Sequence, residues 1–343
     1  LKIDPFVPDK ILYHPDRIAE WLESGDTRPI SWELDVSNKC DHKCPDCNGG
    51  WKETGKGLLD LDTAKNYVYQ IKELGGKSIV LTGGGEPLLN PAIAKVMEYA
   101  NYSKGMDVSL ITNGSHIWNF FKDIIKYCTW VRVSLDAASP EVYKFTHGCS
   151  KAIFEKVIAG ISLLVEEKKL QKGGDNNCTI GVAFLTHRKT KQEMLAFTKL
   201  CKSLGVDYVQ FRPYHYDNCY ITRELKECEK ETVPGKFYVL KSGNKYNHLF
   251  DKEIPYKKCY GHHFCGVINL HKVYLCCHFR RKEKYELGDL REKRLYEIWD
   301  SEKRKEVYQN IDYSDCYPVC RCDRLNRILW KLKEEPATHI NFV

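Results

Sequence analysis

The stretch Val36-Ser37-Asn38-Lys39-Cys40-Asp41-His42-Lys43-Cys44-Pro45-Asp46-Cys47-Asn48-Gly49-Gly50 decides the reading of this chain. Its three thiols, Cys40, Cys44 and Cys47, are spaced Cys-x3-Cys-x2-Cys in a loop directly after the apolar run 30–36. Three thiolates so placed hold three irons of a [4Fe–4S] cubane and leave the fourth iron open for chemistry. A second reading stays open: His42 completes a Cys3His set of the structural zinc type. His42 lies two residues from both Cys40 and Cys44, which cramps a tetrahedral site.

The 343 residues allow one large domain and a smaller one. A hydrophobic content of 43% with 29% charged residues excludes a disordered chain. No apolar run approaches the roughly 20 residues of a membrane helix. The first residues lack the layout of a signal peptide. The 16 cysteines are clustered, which in a cytoplasmic enzyme points to metal or catalysis and not to disulfides. A net charge of +7 fits a phosphorylated or nucleotide substrate, and equally a solvated surface, because Lys and Glu are mixed through most segments. No membrane partner is expected, and nucleic acid is the less favoured partner.

From residue 30 the pattern alternates strand-like and helix-like stretches. Strands are expected at 30–36, 77–81, 107–111, 130–135, 179–185 and 208–212, and helices at 62–74, 91–103, 117–127, 150–169 and 189–204. Such alternation predicts an α/β fold, a partial (β/α)6 TIM-type barrel with right-handed crossovers, whose reactive groups sit at the carboxyl ends of the strands. That rim collects the cysteine loop, the turn Gly83-Gly84-Gly85-Glu86-Pro87, Thr112-Asn113-Gly114, Ser134-Leu135-Asp136, Thr186-His187 and Arg212. Glycines in the turn let a ligand approach the backbone closely. An ordinary strand-to-helix turn explains them too.

Four regions follow: a lead-in at 1–29, the barrel at 30–212, a connecting segment at 213–258, and a smaller carboxyl-terminal hairpin-plus-helix metal-binding domain at 259–343. The connecting segment reads as a hairpin of 236–240 with 245–250 about Ser242-Gly243-Asn244. In the last region Cys259, Cys276, Cys316 and Cys320 supply four thiolates for an auxiliary cubane or a zinc ion, with Cys265 and Cys322 as alternates. The tail from Cys320 to Trp330 reads as a terminal helix packed through its apolar side.

Taken together, these residues resemble the radical S-adenosylmethionine (SAM) enzymes over about 30–212. The cysteine triad matches that family's signature, Gly84-Gly85-Glu86-Pro87 looks like its methionine-binding turn, and Ser134 with Asp136 resembles its fourth-strand segment. Asp46 departs from a position that is often aromatic, which bears on packing beside the adenine and not on ligation. The resemblance implies that the open iron binds SAM, whose reductive cleavage gives a 5'-deoxyadenosyl radical that takes a hydrogen atom from substrate. It implies cofactor contacts at Gly84, Gly85, Glu86, Thr112, Asn113, Ser134, Asp136 and Leu185, turn or cap hydrogen bonding being the other reading of the polar four at 112, 113, 134 and 136. An external donor such as flavodoxin or ferredoxin would supply the electron.

The last region is similar to the twitch or shortened SPASM extension of that family, with His271 near the place of its hairpin glycine. This implies one auxiliary [4Fe–4S] cluster. In epimerase relatives a cysteine returns a hydrogen atom, for which Cys149, Cys178, Cys219, Cys228 and Cys277 are the candidates. Cys128 and Cys201 read as core thiols. His187, Arg212, Tyr214 and His215 lie where substrate passes. The expected reaction is dehydrogenation or epimerisation of a sugar, cyclitol or nucleotide-type small molecule. Radical modification of a ribosomally made peptide and a non-catalytic zinc protein are the alternatives.

Overall fold

The computed structural model describes residues 8–45, 47, 57–171, 177–214, 219–248, 254–316, 320–335 and 338–341. Asp46, His215 and the turn expected at 172–175 lie outside these. Helix α1 (Pro15–Ser24) opens on Pro15 and closes on Gly25 in the left-handed conformation. Its buried Trp21 packs edge-on against Tyr260 and Phe264, so the lead-in is pinned to the carboxyl-terminal region.

The barrel strands are β1 (Ser31–Asp35), β2 (Ser78–Thr82), β3 (Asp107–Thr112), β4 (Trp130–Ser134), β5 (Thr179–Thr186) and β6 (Tyr208–Pro213), parallel and adjacent in sequence order. They are linked by α2 (Leu61–Glu73), α3 (Ile93–Glu98), α4 (Phe121–Tyr127), α5 (Pro140–His147), α6 (Lys151–Leu170) and α7 (Met194–Leu204). Asp60 caps α2 by accepting from Thr63 N. Helix α5 is absent from the sequence expectation, although Ser139 caps it, Pro140 begins it and left-handed Gly148 ends it.

Alternation along each strand sorts side chains by face. Val131, Val133, Val182, Phe184, Val209 and Phe211 join the core beneath the helices. Phe184, Phe197 and Phe211 pack there edge-on or tilted at centroid distances of 5.0 to 5.9 Å, each such burial contributing about 1.5–3 kcal/mol. Their neighbours Arg132, Ser134, Ala183, Leu185, Gln210 and Arg212 are held in register on the opposite, interior face.

The hairpin expected between 236 and 250 does not form. Helix α8 (Thr222–Glu229) instead leads to β7 (Tyr238–Lys241), a seventh parallel strand that pairs with β6. Tyr238 and Leu240 match the register of Tyr208 and Gln210, so the strand extends the barrel face. The Ser242 carbonyl then accepts from Lys245 N and Tyr246 N, and the chain winds into α9 (Gly243–Asn247) where a reversal was expected.

Strand β8 (Cys265–Asn269) adds in parallel to the other side of β1, and β9 (Lys272–Tyr274) and β10 (Glu286–Asp289) follow antiparallel, making one ten-stranded sheet. The expected hairpin of β8 and β9 turns at Leu270, which takes a φ of 51° in place of a glycine. Gly266 is required on β8 because a Cβ there would enter the Trp32 ring. Helices α10 (Leu295–Trp299), α11 (Glu302–Gln309) and α12 (Asp323–Lys333) complete the fold. Leu325 and Leu329 of α12 pack with Trp21 and Tyr260, while Arg321, Arg324 and Arg327 pair with Glu33, Asp9 and Asp323. No helix among the described residues is long and apolar enough to cross a membrane.

Candidate active site and auxiliary metal centre

The cysteine loop leaves β1 at the carboxyl rim and is held by its second residue. Asp41 Oδ1 lies 3.0 Å from His42 Nδ1 and accepts from Asn113 Nδ2 at 2.8 Å, while Oδ2 accepts from Ser115 Oγ at 2.7 Å. His42 is 2% exposed, and its Nε2 lies 2.9 Å from Tyr143 Oη. Both ring nitrogens of His42 are engaged, so it braces the loop, and Cys40, Asp41 and His42 also bring their ligand atoms within 4.8 Å of one another. Lys43 N donates to His147 O, and Gly148 abuts the Lys43 carbonyl so closely that a Cβ would collide with it. Helix α5 is thus a shelf beneath the loop.

Burial, with the neighbouring Cys47 and Cys40 sulfurs, pushes the Cys44 thiol far above its usual range. Cys40, Cys44 and Cys47, one exposed and two half-buried, lie near enough to perturb one another and fit the donor set of a three-cysteine cubane. Metal binding favours their deprotonated forms.

Beside them the glycine turn runs against the loop backbone. Gly85 N donates to Ser37 O at 2.9 Å and Glu86 N to Lys39 O at 2.7 Å. A Cβ on Gly85 would strike the Asn38 and Lys39 backbone. Gly84 faces the Asn38, Asn269 and Arg281 side chains, and Arg281 Nη2 donates to its carbonyl at 2.9 Å. The Glu86 carboxylate is 2% exposed and accepts from Leu88 N (3.0 Å), Thr112 Oγ1 (2.6 Å) and Asn113 N (2.8 Å). Glu86 therefore ties the turn to the end of β3, which is the hydrogen bonding open as the other reading of Thr112 and Asn113. Burial raises its pKa to about 7 despite these donors.

At the end of β4, Asp136 takes a φ of 52° and its Oδ1 accepts from Leu185 N at 2.6 Å. Burial lifts its pKa to about 6 against the pull of Arg212 and Arg132. Ser134 and Leu185 are half-buried on the same interior face, and Leu185 is in register with Arg212. His187 packs edge-on to Tyr214 at 5.2 Å. The rim thus brings together the cysteines, the glycine turn, Asp136 and Arg212.

The seven carboxyl-terminal cysteines, Cys259, Cys265, Cys276, Cys277, Cys316, Cys320 and Cys322, line one cavity. Cys322 is within hydrogen-bond reach of Cys259 and Cys265, and Cys276 of Cys277. Both alternates and Cys277 are therefore present beside the four expected ligands. Among the described residues no three cysteine sulfurs lie within 4.8 Å of one another. Bonds of about 2.3 Å to a lone zinc ion need closer sulfurs than that. The set fits a cluster.

The hydrogen-donor candidates separate by depth. Cys178 and Cys228 are buried in the helix-facing core, away from the interior face. Cys149 interacts with His42, Cys219 with Tyr246, and Cys277 opens on the auxiliary cavity. Sequence reasoning passed over Asp41, Tyr143, His147 and Arg281. The cap and stop signals at Ser139-Pro140 and Gly148 mark the helix that carries Tyr143 and His147; nothing local marks Asp41 or Arg281.

Residues 34–170 match the family model of the radical SAM superfamily, and 268–323 match that of SPASM, an iron–sulfur cluster-binding domain. An AdoMet-dependent heme synthase of Methanosarcina barkeri is 25% identical over 318 residues, covering 83% of this chain and 84% of that protein. A probable GTP 3',8-cyclase of Methanococcus maripaludis is 26% identical, covering 64% and 73%. Among solved structures, Streptococcus suis SuiB bound to S-adenosylmethionine superposes with a TM-score of 0.62 at 14% identity, covering 88% and 72%. The enzyme anSMEcpe with bound AdoMet gives 0.57 at 14%, covering 89% and 96%. The matches give the chain a radical SAM domain over residues 34–170 and a SPASM-type domain over 268–323, whose cofactor set is SAM, a [4Fe–4S] cluster and an auxiliary iron–sulfur cluster.

Proposed function

We propose that this enzyme takes a hydrogen atom from a small molecule of sugar, cyclitol or nucleotide type and completes a dehydrogenation or an epimerisation, working in the cytoplasm with flavodoxin or ferredoxin as reductant. One observation carries the reading: Arg132, Ser134, Gln210 and Arg212 give the interior below the cysteine rim a polar wall, and the cysteine-lined cavity stands beside it. Similarity to proteins named heme synthase and GTP 3',8-cyclase supports a small molecule. The peptide-bound SuiB structure resembles this chain in fold alone, and a peptide substrate is the alternative the experiment detects.

When bound at Cys40, Cys44 and Cys47, the cluster supplies one electron that cleaves SAM to methionine and a 5'-deoxyadenosyl radical. The backbone of Gly84 and Gly85 would seat the methionine end, with Glu86 fixing the turn. Thr112, Asn113, Ser134 and Asp136 would meet the ribose or carboxylate, and Leu185 would flank the adenine. His187, Arg212 and Tyr214 would orient the substrate. In dehydrogenation the substrate loses a hydrogen atom, and a second electron and a proton must then leave it; Cys259, Cys276, Cys316 and Cys320 would hold a cluster that would supply an acceptor for that electron, the proton passing to solvent. In epimerisation a thiol of Cys149, Cys219 or Cys277 returns a hydrogen atom, and the thiyl radical is restored by one electron and one proton from outside.

Anaerobic incubation in heavy water with SAM, dithionite and panels of sugars, cyclitols, nucleotides and peptides tests this. A loss of two hydrogens supports dehydrogenation, and deuterium in an unoxidised product supports epimerisation. Modified peptide with untouched small molecules would overturn the proposal.

A further inference from the structure

We infer that the substrate carries an anionic oxyacid group, a carboxylate or a phosphate, and that Arg212, with Arg132 and Lys245 around it, receives that group at the inner mouth of the barrel. This rests on the small-molecule reading above and deepens it.

The charge inventory of the interior is lopsided. Glu33 and Asp35 of β1 are neutralised by Arg280, which reaches both, and Glu33 also by Arg321. Arg132 donates to Gln210 Oε1 at 3.1 Å. Arg212 Nε is fully buried with no hydrogen-bond partner among the described residues. Lys245 projects from α9, which sits over the end of β6: Ser242 N donates to Phe211 O, and Tyr246 Oη lies 2.9 Å from Thr186 Oγ1. Arg132, Arg212 and Lys245 are each pulled below their usual range, first by burial and next, for Arg132 and Lys245, by the charge of Arg212. Asp136 is a carboxylate near Arg212 and Arg132 and offsets one of the three positive charges; its Oδ1 accepts from Leu185 N and its Oδ2 lies 3.5 Å from His147 Nε2.

Burying cations beside one another is costly unless a counter-charge joins them. Guanidinium groups do not escape by deprotonation. Their planar fork matches carboxylate and phosphate. The corner also lies in the right place, since Arg212 is in register with Leu185 next to Asp136, while Lys245 reaches toward Cys277 and Cys320. An oxyacid held there places the rest of the molecule between the two metal sites. A rival role exists for Lys245, which is to balance the negative charge of the auxiliary cluster.

The test is calorimetric titration of the reconstituted, SAM-bound full-length enzyme with two probes, inorganic tripolyphosphate and citrate. Saturable binding of either probe to the wild type is expected, weakening by roughly 10- to 100-fold in Arg212→Gln and recovering in part in Arg212→Lys. Preference between the probes assigns phosphate or carboxylate. Iron content and unfolding midpoint establish that each variant is folded; if Arg212→Gln fails to fold, Lys245→Gln is titrated in its place, with the same weakening expected. Binding that is absent in the wild type, or equal in wild type and both neutral variants, overturns the inference. So does a Lys245→Gln enzyme whose auxiliary potential shifts while its probe affinity and that of Arg212→Gln stay unchanged. Formation of 5'-deoxyadenosine by the wild type is measured alongside, so that a wild type that cleaves SAM and ignores both anions refutes this inference alone.

Discussion

Asn38 and Asn269, 231 residues apart, exchange a reciprocal pair of amide hydrogen bonds, Asn38 Nδ2 to Asn269 Oδ1 at 3.2 Å and Asn269 Nδ2 to Asn38 Oδ1 at 2.9 Å. The same Asn269 amide donates to Asp35 Oδ2 at 2.8 Å. One buried side chain of the auxiliary hairpin therefore fixes the approach of β1 to the cysteine loop. Asn269→Ala leaves the Asn38 amide and the Asp35 carboxylate each short of a partner, at a cost of about 1–3 kcal/mol. Asn269→Asp should be worse, because it sets a second carboxylate against Asp35. Unfolding midpoints and iron per chain of the two anaerobic variants give the ranking, and an Asp variant as stable as wild type would refute it.

Gly84 and Gly85 are adjacent yet unequal. A Cβ on Gly84 meets the tips of the Asn38, Asn269 and Arg281 side chains, which can swing aside. On Gly85 it meets the backbone of Asn38 and Lys39, which can yield only by moving the loop before Cys40. Gly85→Ala should therefore lose most of the iron of the first cluster, whereas Gly84→Ala keeps that iron and weakens SAM binding severalfold. Iron analysis and equilibrium binding of SAM separate the two, and equal iron retention would refute the distinction.

The residues with local signatures were legible and the ones with distant partners were not. The six barrel strands, the loop of Cys40, Cys44 and Cys47 and the turn at Gly84 follow from periodicity and spacing within a few residues. The strand at 236–240 was legible as β7 but its partner was not: Ser242-Gly243-Asn244 carries turn residues that suggest a hairpin, and tertiary contacts of Ser242 and Tyr246 with β6 and β5 set it parallel to β6 instead. Asp41 and Arg281 draw their meaning from Asn113, Ser115 and Gly84, which lie from 72 to 197 residues away. All seven later cysteines were visible; that they share one cavity was not.

Glu86 makes stability fall with rising pH. Its pKa is about 7 in the folded chain against a reference of 4.5. Below about pH 4.5 the carboxyl is protonated in both states and nothing is lost; between there and pH 7 the unfolded chain releases a proton that the folded chain retains. The cost is complete above pH 7, at roughly 3 kcal/mol. Asp136, raised from 3.8 to about 6, acts in the same direction. Glu86→Gln should flatten the slope of unfolding free energy between pH 5 and 7 while losing stability at pH 5, because its amide faces a donor where the carboxylate accepted. Urea titrations across that range measure the slope, and an unchanged slope would show that Glu86 ionises normally.

Loss of the two metal sites should produce two phenotypes. Cys40, Cys44 and Cys47 changed together to Ala remove the sulfurs that leave a corner open to SAM, so 5'-deoxyadenosine formation should vanish and iron fall by about four per chain. The auxiliary sulfurs line a cavity of their own, formed by residues from 259 to 279 and from 311 to 322; Cys276→Ala should cost product more than it costs cofactor cleavage. Because Cys277 lines the same cavity within hydrogen-bond reach of Cys276, iron per chain is measured on Cys276→Ala and on the Cys276→Ala/Cys277→Ala pair. If the triple variant and Cys276→Ala lose cofactor cleavage equally, the auxiliary centre feeds the electron inward and does not take it from the substrate. Comparing 5'-deoxyadenosine with product in single-turnover reactions, under chemical reduction, decides between these routes.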